Sequence, residues 1–143
     1  FDQSRWWSGS THDAHPLVCA SIVGNLEAMI EENMIDQAKE KGLYLKHKLE
    51  FLKSKHPCIG RISGRGIYFS IDMINLNGEP IIQEDRDTKF IGDLSQNPNN
   101  LFAAECAKHG LFAGGFMPNS VKAAPPLTIT FQEIDFAIDV RLP

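Results

Sequence analysis

The densest run of side chains able to do chemistry is Thr11-His12-Asp13-Ala14-His15. Two imidazoles and a carboxylate this close together can ligate a transition metal. Their spacing is not the His-x-x-x-His that sets two rings on one helix face, and His15-Pro16 suits the start of a helix. A polar loop that caps a helix is therefore the preferred reading over a metal site of His12, Asp13 and His15. Ser8, Gly9, Ser10 and Thr11 offer a second chemistry. Hydroxyls, a small residue and backbone N–H groups ahead of a helix suit an anion such as phosphate. No Gly-Lys-Ser follows, so this is not a P-loop. Two further cations stand out. Arg65 lies between Gly64 and Gly66, where it either recognises an anion or decorates a turn, the turn being favoured. Lys122 interrupts an apolar segment just before Pro125-Pro126. It would either snorkel to solvent or enter a ligand pocket as a point charge, and composition does not choose between them.

The elements that must hold these residues can be read from periodicity. Residues 1–15 read as an irregular arm with Trp6 and Trp7, ending in the phosphate-type loop. A helix follows over Leu17–Ile30, with Pro16 in its first turn. Val18, Ile22, Leu26 and Met29 recur at helical spacing, with Leu17 and Val23 beside them. A helix apolar nearly all round is expected to lie between neighbours, so another protein surface should cover it. A second helix over Ile35–Lys55 has one narrow stripe (Ile35, Ala38, Gly42, Leu45, Leu49, Leu52), with its lysines on a solvated face. His56-Pro57 ends it. A Gly-bounded stretch, Gly60–Gly66, leads into a strand in which Ile67, Phe69, Ile71 and Met73 alternate with Tyr68, Ser70 and Asp72. Residues 75–100 are turn-rich, and Asn77-Gly78 signals a hairpin. A third helix is expected over Asn100–His109, with Leu101, Ala104 and Cys106 near one face and Gly110 as its stop. Short strands at Leu111–Phe112 and Ser120–Ala123 come next. The last helix starts at Phe131, with Thr130 and Glu133 as a capping-box pair and Ile134, Ala137 and Ile138 on its apolar face. Strands and helices do not alternate regularly. The expected class is α+β, a small antiparallel sheet covered on one face by helices and preceded by a long interdomain-type helix.

Bulk properties narrow the partners. The 143 residues are 43% hydrophobic and 22% charged, which is ordinary for a globular chain. The formal net charge is -4, which disfavours nucleic acid as the main partner. No run approaches a membrane span and no secretory signal is evident. Cys19, Cys58 and Cys106 have no metal-like spacing and read as reduced core thiols of a cytoplasmic protein.

Three segments together resemble the C-terminal part of class III, fold type I aminotransferases, which use pyridoxal phosphate. Thr11–Ala20 (THDAHPLVCA) resembles that family's Thr-x-x-Gly-His-Pro-x-x-Cys-Ala segment, with Ala14 in place of Gly. Gly64-Arg65-Gly66-Ile67 resembles its Arg-Gly-x-Gly entry to a small-domain strand. Lys122–Thr130 (KAAPPLTIT) resembles its Arg-x-x-Pro-Pro-Leu segment. The resemblance implies that Thr11, with Ser10 beside it, contacts the cofactor phosphate in the partner subunit of a homodimer. It implies that Lys122 stands where an arginine commonly binds the substrate α-carboxylate. Lysine cannot make the planar two-point grip of a guanidinium there. It also implies that residues 16–143 form a small domain, with a large domain of the same enzyme as neighbour. The lysine that forms a Schiff base with the cofactor would lie in that large domain, and none of the lysines here suits the task.

The expectation is therefore a C-terminal aminotransferase fragment, inactive alone. Its parent would move an amino group from an amine or amino acid to a keto acid. A stand-alone α+β module that binds a small anion or regulates is the alternative, and a metal-dependent hydrolase the third reading.

Overall fold

The computed structural model describes residues 11, 14–81, 98–114 and 119–139. Trp6, Trp7, Ser8, Ser10, His12 and Asp13 lie outside the described residues. The chain divides into two compact units, Phe1–Ile35 and Asp36–Pro143.

In the first unit, α1 covers Pro16–Glu31. His15 caps it: its Nδ1 accepts from the Leu17 N–H at 3.3 Å, one of the donors a helix start leaves unsatisfied. Pro16 occupies the first turn, where its missing N–H costs nothing. At the other end the Glu32 N–H reaches the Ala28 carbonyl, and Asn33 takes φ 50°, a left-handed stop. No residue of α1 is buried. Leu17, Ile22, Val23, Leu26 and Ile30 are each more than half exposed.

The second unit holds a three-stranded antiparallel sheet in the order β1-β2-β3: β1 Ile59–Arg65, β2 Tyr68–Met73 and β3 Ser120–Ala123. The helices are α2 (Met34–Lys55), α3 (Pro98–Lys108) and α4 (Phe131–Asp139). This is the expected α+β class. Alternation along β2 sends Phe69 and Ile71 to one face, where they join Leu45 and Leu49 of α2, Val121 of β3 and Ile134 of α4 in one buried cluster. Burying each such side chain contributes roughly 1.5–3 kcal/mol.

Two close approaches fix α2 on the sheet. Gly42 abuts the turn between β1 and β2 so tightly that a Cβ there would lie 2.1 Å from the Gly66 carbonyl oxygen. Gly66 itself takes φ 57°, which suits the first central position of a two-residue hairpin turn. On the far side, Tyr44 donates to Asp135 at 2.7 Å, and Lys48 pairs with the same oxygen at 2.7 Å. The Tyr44 ring meets Phe131 edge-on, with centroids 5.1 Å apart. Thr130 and Glu133 make the expected reciprocal cap: the Thr130 N–H donates to Glu133, and the Glu133 N–H donates to the Thr130 hydroxyl.

Several expectations need correction. The Gly-bounded stretch Gly60–Gly66 is not merely a lead into the strand: Ile59–Arg65 is itself a strand, with Arg65 opposite Tyr68 and Ile62 opposite Ile71. Leu111–Phe112 forms no strand. Gly114 makes an isolated bridge to Lys122, and Phe112 is fully exposed. The third helix starts at Pro98, and its inward row is Asn99, Phe102 and Cys106; Leu101 and Ala104 face out. The lysines of α2 are not all solvated, since Lys41 is buried with its ammonium on the Gln37 side-chain oxygen at 2.9 Å. Of the thiols, Cys106 is a core residue, whereas Cys19 and Cys58 are exposed.

Candidate functional site

The first unit presents Thr11 as an exposed turn residue four positions ahead of the cap His15. Ala14 between them takes φ 55°. A left-handed backbone strains any residue with a Cβ, by about 1–2 kcal/mol. That gives a physical reason for glycine at this position in the segment it resembles. Thr11 precedes a helix N-terminus in the chain, and helix N-termini suit oxyanions. Ser10 lies outside the described residues, as do His12 and Asp13. His15 spends Nδ1 on the helix cap. Among the described residues, no group of three or more His, Cys, Asp or Glu side chains could hold a metal ion.

The second unit places Lys122 on β3, directly opposite Ser70 of β2. Its N–H donates to the Gly114 carbonyl at 3.1 Å on the strand's other edge, so both sides of the β3 backbone are engaged at this point. Side chains alternate along a strand. Val121 and Ala123 therefore belong to the core face, and Ser120 and Lys122 to the face away from it. Ser70 and Ser120 share a hydrogen bond of 2.7 Å on that outer face. Arg61 and Asp72 pair across β1 and β2, Nε to Oδ2 at 3.2 Å. Immediately after β3, Pro125 and Pro126 cannot extend the ladder. The Ile129 N–H closes a turn on the Pro126 carbonyl, and α4 begins.

Several titratable groups outside these positions are tied to structure. Hydrogen bonds from the Thr130 N–H and hydroxyl hold the Glu133 carboxyl below its usual range. Lys48 and Tyr44 do the same for Asp135, and in return Asp135 holds the Lys48 ammonium above its usual range. Burial pushes the Cys106 thiol up, away from the reactive thiolate.

The structure thus brings Lys122 together with Ser63, Ser70 and Ser120 on one sheet face. Thr11 belongs to the other unit. The serines were not singled out from the sequence, because their grouping depends on strand register. The only trace was the alternation that set Ser70 opposite in sense to Phe69 and Ile71.

Comparison with known proteins agrees with this architecture. The sequence matches the family described as Aminotransferase class-III over residues 3–140. It is 30% identical to ornithine aminotransferase 2 of Staphylococcus saprophyticus over 131 residues, covering 92% of this chain and 27% of that protein. It is 26% identical to the mitochondrial alanine–glyoxylate aminotransferase 2 of Homo sapiens over 133 residues, covering 92% of this chain and 24% of that protein. The fold superposes on an S-selective transaminase from Arthrobacter sp. with a TM-score of 0.86 and 35% identity, over 97% of this chain and 30% of that one. The chain spans less than a third of the length of these relatives. On its sequence and its fold, this chain belongs to the class III aminotransferases.

Proposed function

We propose that this chain is the C-terminal portion of a pyridoxal-phosphate-dependent aminotransferase that moves an amino group from an amine or amino acid to a keto acid. The observation that carries the reading is a nearly continuous match. Residues 3–140 fit the family, yet they correspond to only 27% of a 30%-identical relative. Residues 1–15 form the arm with the phosphate-type loop, and residues 16–143 the small domain. A large domain of the same enzyme supplies the remainder, including the cofactor lysine.

The residues present fit one end of the cofactor. Thr11 is an exposed hydroxyl residue ahead of a helix N-terminus in the chain, and with Ser10 it would receive the phosphate, reaching across a homodimer into the partner's site. The lysines fit the aldehyde end poorly. Lys41 is buried against Gln37, Lys48 is paired with Asp135, and Lys39, Lys46, Lys53 and Lys55 are exposed on α2. When bound, pyridoxal phosphate supplies the electron sink for amino transfer. This chain's own part is to contact the phosphate, to offer Lys122 to a substrate carboxylate, and to wall the site. Lys122 grips through a point charge rather than a fork, which relaxes selection for an α-carboxylate. The apolar side chains exposed on α1 support the reading that another protein surface covers them. No described helix is long and apolar enough to cross a membrane, and three free thiols suit a reducing cytoplasm.

Adding pyridoxal phosphate and borohydride to the chain, then mapping peptides, tests this assignment. The expected outcome is no lysine labelled in preference to the rest. Stoichiometric labelling of one lysine would overturn it.

A further inference from the structure

The hairpin that follows β2 is built around one residue. The Asn75 side-chain oxygen accepts from the Asn77 N–H at 2.9 Å and from the Glu79 N–H at 3.0 Å. The Asn75 backbone closes the loop twice more. Its N–H donates to the Glu79 carbonyl at 2.8 Å, and its carbonyl accepts from the Gly78 N–H at 3.0 Å. Ile74 and Pro80 bridge at the base. Asparagine suits this position because its side-chain oxygen mimics a backbone acceptor. Leu76, Asn77 and Gly78 form the exposed tip.

That tip also sets a reactive pair in solvent. The side-chain amide carbon of an asparagine lies one ring closure from the next backbone nitrogen. Glycine after it leaves that nitrogen uncrowded. Nothing lies within 4 Å of where a Cβ of Gly78 would stand, and its φ of 82° suits glycine. One contact opposes the closure. The nitrogen that must attack donates its proton to the Asn75 carbonyl, so the turn has to open first.

We propose that Asn77 is a site of spontaneous deamidation, and that Asn75 sets its rate by holding the turn closed. The Gly78 amide gives its proton to solvent, and its nitrogen bonds to Asn77 Cγ. The Cγ–Nδ2 bond breaks, and Nδ2 leaves as ammonia after taking up a proton. Water then opens the cyclic imide. Opening at Cγ leaves aspartate. Opening at the backbone carbonyl carbon leaves isoaspartate, with the chain running through the former side chain. Water is the co-reactant, and nothing is oxidised or reduced. Either product puts a new carboxylate two residues from Glu79. Isoaspartate also lengthens the backbone inside the loop that Asn75 closes. The inference does not depend on amino transfer.

The test is incubation of the 143-residue chain in neutral buffer, followed over time by ammonia release and peptide mapping. Conversion is expected at Asn77 ahead of Asn25, Asn33 and Asn119, which precede Leu26, Met34 and Ser120 rather than glycine. Both aspartate and isoaspartate should form. Asn75→Ala removes the two bonds to the side-chain oxygen, together worth about tenfold in turn opening, so conversion at Asn77 should be about tenfold faster. Asn75→Asp keeps an acceptor oxygen there and should hold the native rate. Unfolding in urea should bring the native chain and Asn75→Ala to a common, faster rate. No conversion at Asn77, or aspartate as its one product, would overturn the site. Equal folded rates in the native chain and Asn75→Ala, or acceleration of every asparagine alike in that variant, would overturn the role of Asn75.

Discussion

Replacing Gly42 with alanine tests how the helix that carries the core is held to the hairpin that carries Arg65. On propensity alone, Gly→Ala inside a helix stabilises by about 0.8–1 kcal/mol. Here the new Cβ would fall 2.1 Å from the Gly66 carbonyl oxygen and 2.4 Å from its carbon, both backbone atoms. Ordinary contact needs more than an ångström of extra separation, and the hairpin turn is itself held by the Arg65–Tyr68 pair. Overpacking of this kind costs about 1–3 kcal/mol, more where backbone must move. Because backbone must move here, the cost falls at the upper end, about 3 kcal/mol, and the net expectation after the propensity gain is destabilisation of about 2 kcal/mol. Urea unfolding reads it as a lower midpoint at unchanged slope. Gly24, in the middle of α1, is the internal control. Nothing lies within 4 Å of a Cβ there, so Gly24→Ala should slow amide exchange in α1. If Gly42→Ala proved neutral or stabilising, the close approach of α2 to the β1–β2 turn would be refuted.

Other outcomes follow from the same contacts. Asp135 and Glu133 have carboxyls held below their usual range, so their stabilisation is present above the ordinary carboxylate pKa and is lost as pH falls through the lowered values. Acid unfolding followed by circular dichroism should therefore be less steep in Asp135→Asn than in the native chain, and an identical acid limb would count against the Lys48–Asp135–Tyr44 contact. Thr130→Ala removes the cap of α4 and should cost about 0.5–2 kcal/mol in urea unfolding. A thiol reagent should modify Cys19 and Cys58 promptly and Cys106 only on unfolding, since Cys106 is 1% exposed and its thiol is pushed up by burial.

Much of the fold was legible because local chemistry and tertiary packing agree. Pro16, the Thr130–Glu133 box and Gly110 mark helix ends where the structure has them, and the alternation through Met73 names the buried face of β2. Where the two diverge, the reading fails for identifiable reasons. Gly60 and Gly64 weaken the strand signature of β1, and that strand is held by pairing to β2 at Ile59 and again from Ile62 to Arg65, information that lies in another segment. Leu111 and Phe112 have strand-like side chains, but among the described residues the ladder contact nearby is made by Gly114. In α3 the inward row includes Asn99, a polar residue that hydrophobic periodicity passes over. Lys41 reads as a solvated charge, but it is buried, and Gln37 one helical turn away accepts its hydrogen bond. Lys122 was legible as an odd cation in an apolar strand. Its neighbours Ser63 and Ser70 come from strands more than fifty residues away, and only register assembles them.

Amino transfer is the most direct test of the account, measured as keto-acid consumption with an amine donor and added pyridoxal phosphate. The chain should give no turnover by itself and should support turnover when joined to the proposed large domain with its cofactor lysine. Turnover by these 143 residues alone, or none in the joined enzyme, would contradict it.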